Sequence, residues 1–481
     1  MRVGLITLGC DKNTVDSERY LAELLDRGAE HTEELDQADV IIINTCGFID
    51  AAKQESIEAI LEAGRYKADG TCQAVVAVGC MVERHKSELA TELPEVDLFL
   101  GSSEMDRLLP ELEARGVVGA ADPLAAHPGV RVYTGDLPHV RYLKVSEGCD
   151  HGCAFCAIPL MRGKHRSFGL DEVVREAQLL ELQGARELNL VAQDLAHWGR
   201  DRRDGVTLPD LLERLVADTS VPWIRLLYLY SAGITPRLLE VMAREPRIVP
   251  YLDIPIQHGS DAVLARMRRP ERARTIRDTV RRLRDAVSDV AIRTTCIVGF
   301  PGETEDDFQR LLDLLEEVRF ERVGAFTYSP QEGTRAAAMD DDVPMAVKHE
   351  RLERLGELQR AITAERYERF VGRTVRAMVD GGRGVDDAGR GARGAGRELL
   401  GNREEGTVQG RLIWQADDVD GVAWLEGEAA PGSIVECVVH DVVDDYDFAA
   451  RIVGVEDAPR APRPAPRALP MLGITRGSFG R

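Results

Sequence analysis

The sequence predicts an α/β protein of three bodies: an N-terminal βαβ parallel-sheet domain, a central partial or full βα (TIM-like) barrel, and a small C-terminal all-β barrel. Three observations predict it. Apolar strand-like runs alternate with amphipathic helical runs from the N-terminus to about residue 365. A stretch rich in Gly, Ala and Pro, residues 113–139, interrupts the alternation once. After residue 370 the helical runs stop and short strands take over. The chain has 481 residues, too many for one ordinary domain, and its 44% hydrophobic content suffices for several cores.

The first body opens with the strand "RVGLITLG". The helix "TVDSERYLAELLDRG" follows, with Thr14 as the expected N-cap and Gly28 as the stop. The strand "ADVIIINT", the helix "DAAKQESIEAILEAGRYK" and the strand "QAVVAVG" complete a βαβαβ order. Cys10, Cys46 and Cys80 each come directly after one of these three strands. Parallel strands end on one edge of their sheet, where open α/β folds place ligands. Three cysteines spread over seventy positions are therefore expected to converge. Buried thiols that merely pack well at strand ends are the alternative.

From about 140 to 365, "VRYLKVS", "ELNLVAQD", "WIRLLYLY", "YLDIPIQ", "AIRTTCIVGF" and "RVGAFTYSP" read as strands, with helices such as "LDEVVREAQLLELQG" and "EDDFQRLLDLLEEV" between them. In the last body, "RLIWQA", "VAWLEG", "SIVECVVHDVV" and "FAARIVGV" read as strands. The segment 381–400 is a Gly/Arg-rich loop, and 457–481 reads as a disordered Pro-rich tail.

"SEGCDHGCAFCAIP" sets Cys149, Cys153 and Cys156 in a C-x3-C-x2-C spacing, with the aromatic Phe155 before the last cysteine. Disulfides take thiols in pairs and structural zinc takes four ligands. A [4Fe–4S] cluster normally takes four thiolates, so three leave one iron open. The loop follows a barrel strand, at the end where barrel active sites gather. Zinc with His151 as fourth ligand is the alternative. Cys72, Cys296 and Cys437 fall outside both sets and read as core or incidental.

The spacing resembles the CxxxCxΦC motif of radical S-adenosylmethionine enzymes. "TTCIVGFPGETEDDF", "LDIPIQHGSD" and "NLVAQD" resemble the segments that line the cofactor there. "LGCDKNTVDSE", "NTCGFID" and "VGCMVER" resemble the N-terminal domain of methylthiotransferases, a family that adds a methylthio group to unactivated C–H positions. The resemblance runs to about residue 455. It implies a methylthiotransferase N-terminal domain at 1–115, a linker at 116–134, a radical domain at 135–367 and a TRAM β-barrel at 368–456. It implies two [4Fe–4S] clusters, one on Cys149, Cys153 and Cys156 that binds and reductively cleaves S-adenosylmethionine, and an auxiliary one on Cys10, Cys46 and Cys80. Phe155, Gln193, Gln257, Ile297 and Gly299 are the implied cofactor contacts. A cluster-bearing scaffold without turnover is the alternative of another kind; intact cofactor-facing segments argue against it.

Two classes share this plan. One modifies an adenosine of tRNA; the other modifies the β-carbon of an aspartate in ribosomal small-subunit protein twelve. "GCDKNTVDSE", "VAQDLAHWG" and "YSPQEGT" resemble the ribosomal-protein class. Charge points the same way. The chain carries a formal net charge of -21, and between 411 and 456 only Arg411 and Arg451 are basic against eleven acidic residues, Asp417, Asp418 and Asp420 among them. Such a surface repels phosphate and suits a basic protein. The expected partners are that ribosomal protein and an electron donor such as flavodoxin or ferredoxin. Nucleic acid is not required for recognition. No apolar run reaches the roughly 20 residues of a membrane helix, so a cytoplasmic location is expected.

Overall fold

The computed structural model describes residues 1–70, 72–119, 131–135, 137–381, 406–417, 419–444 and 446–458. The Gly/Arg-rich loop beyond 381, the tail beyond 458, most of the linker, Asp418 and Asp445 lie outside the described residues.

The first body runs β1 (Arg2–Thr7), α1 (Asp11–Leu25), β2 (Glu30–His31), β3 (Val40–Thr45), α2 (Asp50–Asp69), β4 (Ala74–Gly79), α3 (Cys80–Glu92), β5 (Leu98–Gly101) and α4 (Leu108–Ala114). Its sheet is parallel, in the order β2-β1-β3-β4-β5. The central strands "VIIINT" and "AVVAVG" are buried at every position. Such continuous apolar runs are what a parallel strand covered on both faces requires. Helix α1 begins earlier than the sequence suggests. Cys10, not Thr14, is its N-cap, because Gly9 at φ +92° turns the chain straight out of β1 and Asp11 complements the first turn.

The second body is a six-stranded parallel sheet in the order β13-β12-β11-β10-β9-β6. Its strands are β6 (Val140–Lys144), β9 (Glu187–Val191), β10 (Trp223–Leu226), β11 (Ile248–Asp253), β12 (Ala291–Val298) and β13 (Arg322–Thr327). The hairpin of β7 (Ser146–Glu147) and β8 (Arg166–Ser167) brackets the second cysteine set and α5 (Ile158–Arg162). Helices α6 (Leu170–Leu182), α7 (Leu208–Asp218), α8 (Pro236–Arg244), α9 (Asp261–Arg266), α10 (Ala273–Ala286), α11 (Glu305–Val318) and α12 (Met345–Glu368) complete the units. β6 and β13 do not pair, so the expected barrel is a partial one, open at its side. Helix α11 starts sharply because Thr304 caps the amide of Asp307 at 3.1 Å and the Asp307 carboxylate accepts the Thr304 amide at 3.2 Å.

The third body is a closed barrel of β14 (Thr374–Val379), β15 (Thr407–Leu412), β16 (Ala423–Glu426), β18 (Asp447–Asp457) and β17 (Ile434–Val443), in that order. "RLIWQA" is not a strand throughout: β15 stops at Leu412, and the turn that follows carries Ile413 and Trp414 into a shared core with Trp223 and Tyr251 of the central sheet. Beneath it lies a buried ion network. Glu187 accepts from Arg225 at 2.6 Å and Arg411 at 2.7 Å, and Asp380 accepts from Arg411 at 2.8 Å with His139 at 2.9 Å. The barrel thus closes the amino end of the sheet and leaves the carboxyl end to the first body. Asp420, expected on an acidic surface, is wholly buried; its carbonyl accepts from Arg322 and its carboxylate faces Arg293 at 3.8 Å. Arg411 is buried too. Among the described residues the exposed acids of the barrel are Glu428, Glu436, Asp441, Asp444, Glu456 and Asp457.

Candidate functional site

Cys10, Cys46 and Cys80 meet on the carboxyl edge of the first sheet. A Cβ on Gly9 would stand 2.8 Å from the Cys46 sulfur, and one on Gly47 would stand 2.8 Å from the Cα of Met81, beside Cys80. Only chains in van der Waals contact produce such distances, so the three loops are packed together. Side chains fix them. Asn13 Nδ2 donates to the Leu8 carbonyl at 2.7 Å and the Thr45 carbonyl at 3.2 Å, and Ser56 bonds both the amide and the carbonyl of Cys46 at 3.0 Å. Cys10 caps α1 and Cys80 opens α3; helix N-termini favour anionic groups such as thiolates. Burial pushes the Cys80 thiol up to about 12, against the opposing guanidinium of Arg162.

Cys149, Cys153 and Cys156 lie in the loop after β7, at the carboxyl edge of the central sheet. The Ile158 amide donates to the Cys156 sulfur at 3.5 Å, and Arg269 approaches the Cys153 sulfur at 3.8 Å. Burial pushes Cys149 up to about 11 and Cys156 up to about 12. Buried thiols of this kind become thiolates when a cation takes the proton's place, which is what iron does. His151 is not positioned as a fourth ligand. Its ring stacks on Tyr230 at 3.9 Å and its Nε2 pairs with Asp194 at 2.7 Å. Among the described residues no three His, Cys, Asp or Glu side chains close on a single metal ion; a cubane, which binds each thiolate at a different iron, spreads its ligands wider.

The remaining expected contacts gather on the same edge. Phe155 and Ile297 pack on one apolar group with Met267, Phe300 and Tyr328. Gln257 has φ +71° and bridges to β12, its amide donating to Thr295 and its carbonyl accepting from Ile297. Gly299 has φ +69°, and a side chain there would strike Lys348. Gln193 follows β9; its amide donates to Glu147 at 2.9 Å, and its Oε1 is buried without a partner. Cys72, Cys296 and Cys437 sit buried in their cores, apart from both sets.

Sequence reasoning missed the residues that join the two sets. Cys80 packs against Ala157 and Met161, just past Cys156. Arg162 donates from Nε to the Cys80 sulfur at 3.1 Å, and its terminal nitrogens reach Asp16 at 2.7 Å, Glu147 at 3.2 Å and Asn13. Lys144 holds the same two carboxylates. Burial pushes the Asp16 carboxyl up, but Lys144 and Arg162 outweigh it and hold it below the usual range. The signal was faint but present: Glu147 lies just before the first cysteine of the loop and Arg162 six residues after the last. Near Cys10, Lys12 lies over Tyr228, and Tyr228 donates its hydroxyl to Asp11 at 3.0 Å. No described helix is long and apolar enough to cross a membrane.

Comparison with known proteins places this geometry in context. The model of "Uncharacterized protein family UPF0004" matches residues 2–101, and that of the Radical SAM superfamily matches residues 143–315. A radical S-adenosylmethionine methyltransferase, TsrM, from Kitasatospora setae is alike in structure, with a TM-score of 0.51 over 67% of this chain and 72% of that one at 15% identity; this supports the fold alone. Curated relatives are far more similar. A ribosomal protein uS12 methylthiotransferase RimO of Anaeromyxobacter sp. (strain K) is 43% identical over 98% of this chain and 97% of its own. That of Myxococcus xanthus is 40% identical over 98% and 97%. With two facing cysteine triplets and likeness over nearly its whole length, the chain belongs to the family of ribosomal protein uS12 methylthiotransferases RimO.

Proposed function

We propose that this protein adds a methylthio group to the β-carbon of an aspartate in ribosomal protein uS12 by radical S-adenosylmethionine chemistry. The observation that carries the reading is the pair of three-thiol sets, packed against each other through Cys80, Ala157 and Arg162. A three-thiol set is one ligand short of a closed [4Fe–4S] site, so each leaves a position for a reacting molecule.

In this reading Cys149, Cys153 and Cys156 hold one [4Fe–4S] cluster and Cys10, Cys46 and Cys80 hold the auxiliary one. When bound, the clusters and S-adenosylmethionine supply the electron, the hydrogen-abstracting radical and the methylated sulfur. The chain does the rest. Phe155, Ile297 and their apolar neighbours keep water from the cofactor site. The unpartnered Oε1 of Gln193 offers an acceptor, and the left-handed turns at Gln257 and Gly299 open the strand ends to a ligand. Arg162 and Lys144 neutralise Asp16 and Glu147 between the sets.

The chain divides at 1–115, 116–134, 135–367 and 368–456 into auxiliary-cluster domain, linker, radical domain and TRAM domain, followed by the tail. The exposed acids of the β-barrel dock the basic substrate, and recognition needs no nucleic acid. A flavodoxin or ferredoxin of the cytoplasm delivers the electron.

The test is intact-mass spectrometry of uS12 from cells with and without the gene. Loss of about 46 Da in the deletion, the mass of H replaced by SCH3, is the expected result for this cofactor chemistry. An unchanged uS12, with a methylthio group missing from tRNA instead, overturns the substrate and keeps the chemistry.

A further inference from the structure

Beside Cys10, where the first body meets the central sheet, lies a lysine with no part in the function proposed above. Lys12, in the first turn of α1, is 6% exposed. Its Nζ stands 3.0 Å from the centre of the Tyr228 ring, at the carboxyl edge of the central sheet. Tyr228 has φ +60°, a conformation that costs energy in a bulky residue. Among the described residues Lys12 enters no ion pair. The carboxylates that act on its charge, Asp11 and Asp253, both have other partners: Asp11 accepts the Tyr228 hydroxyl at 3.0 Å, and Asp253 pairs with Arg293 at 3.3 Å. Arg162, the other cation that acts on it, is satisfied by Asp16 and Glu147.

Burial pulls the Lys12 amine below its ordinary value; it lacks a paired anion, and an aromatic face offsets only part of the cost of holding its charge. The position also matters. Lys12 sits two residues from Cys10 on one side and against the strand-end Tyr228 and Asp253 on the other. It therefore stands where the first cysteine set meets the carboxyl edge of the central sheet. An aspartate side chain brings a carboxylate one bond from its β-carbon, so an anchored carboxylate fixes the reacting carbon.

We propose that Lys12 is a specificity-determining residue that binds the side-chain carboxylate of the substrate aspartate between the two cysteine sets. The inference rests on the substrate reading given above. Asparagine, of the same shape and without charge, would keep an acceptor but lose the ion pair, and a neutral nucleobase would offer no anion either.

The experiment uses the full chain with both clusters loaded and two synthetic peptides spanning the modified aspartate of uS12, one with Asp and one with Asn there. The wild type is expected to prefer Asp in kcat/KM by about tenfold or more, the usual worth of a hydrogen bond to a charged group. Lys12→Met should reduce the preference to within about threefold at unchanged iron content, and Lys12→Arg should restore part of it. Equal slowing of both peptides by Lys12→Met overturns the proposal. So does equal calorimetric affinity of the unmodified protein for the two peptides, a measurement that needs no variant. A wild type that methylthiolates neither peptide but does modify tRNA removes the substrate reading itself, and this inference with it.

Discussion

Arg162→Met should loosen the first body from the second. Arg162 is a nearly buried guanidinium whose bonds reach Asp16, Glu147, Asn13 and the Cys80 sulfur. Removing one partner of a buried ion pair costs about 3–5 kcal/mol, because the other charge stays buried. Lys144 remains on both carboxylates, so the low end, about 3 kcal/mol, applies. The amides of α1, which carries Asn13 and Asp16, should then exchange hydrogen about a hundredfold faster in cluster-free protein at pH 7. The pH dependence has a definite sign. The folded Asp16 carboxyl is held below its ordinary value, so its contribution is complete above the unfolded pKa of about 3.9 and disappears as pH falls through the lower folded value. The gap between variant and wild type is therefore full at pH 7 and narrows below about pH 4. An exchange difference under about tenfold at pH 7, or one that widens in acid, would refute the reasoning.

Cys149→Ala should remove one cluster's iron and abolish S-adenosylmethionine cleavage, whereas Cys80→Ala should remove the other cluster's iron and leave cleavage in place; anaerobic reconstitution with iron assay and product analysis separates the two. The join between the β-barrel and the central sheet should fail in acid. Burial raises Asp380 and Glu187, but for Asp380 Arg411 and His139, and for Glu187 Arg411 and Arg225, outweigh it and hold both below the carboxylate range. Their stabilisation is present above about pH 4.3 and lost as pH falls through the lower folded values, which fluorescence of Trp414 and Trp223 should follow. Reversing the exposed Glu428, Glu436 and Glu456 to Lys should weaken uS12 binding at low salt by about tenfold without changing S-adenosylmethionine cleavage, and unaltered binding counts against barrel docking. Asp420→Lys, by contrast, buries a cation facing Arg293 and Arg322 and should lower folding yield or thermal stability rather than report on docking.

Most of the fold was legible because its strands are continuous apolar runs and its helices carry regular apolar faces. The cysteine sets were legible for a simpler reason: parallel strands end on one edge, so a residue following each strand must join the others there. What escaped was polar and inside. Nothing in the spacing of Arg411, Glu187 and Asp380 marks them as partners, since they come from three separate elements. Asp420 counts as surface charge in any composition and proves buried because Arg293 and Arg322 face it. Cys10 took the N-cap position from Thr14 because a left-handed Gly9 starts the helix four residues sooner than its apolar pattern does. Gln193, read as a cofactor contact, is also bonded to Glu147, whose only mark in the sequence is its place beside the cysteine loop.

The unpaired edges of the central sheet carry a consequence for what this protein can process. A closed barrel would be a well, filled and emptied only from its rim, and its contents would be limited to what fits through that rim. Here the sheet hydrogen bonds stop between β6 and β13, helix α1 of the first body packs beside β6, and Phe326 on the last strand is 55% exposed. A site with a slit along one side accepts a bend in a long polymer without needing a free end. With the amino end covered by the small β-barrel, the unpaired side is the direction that suits a residue in the middle of a long chain.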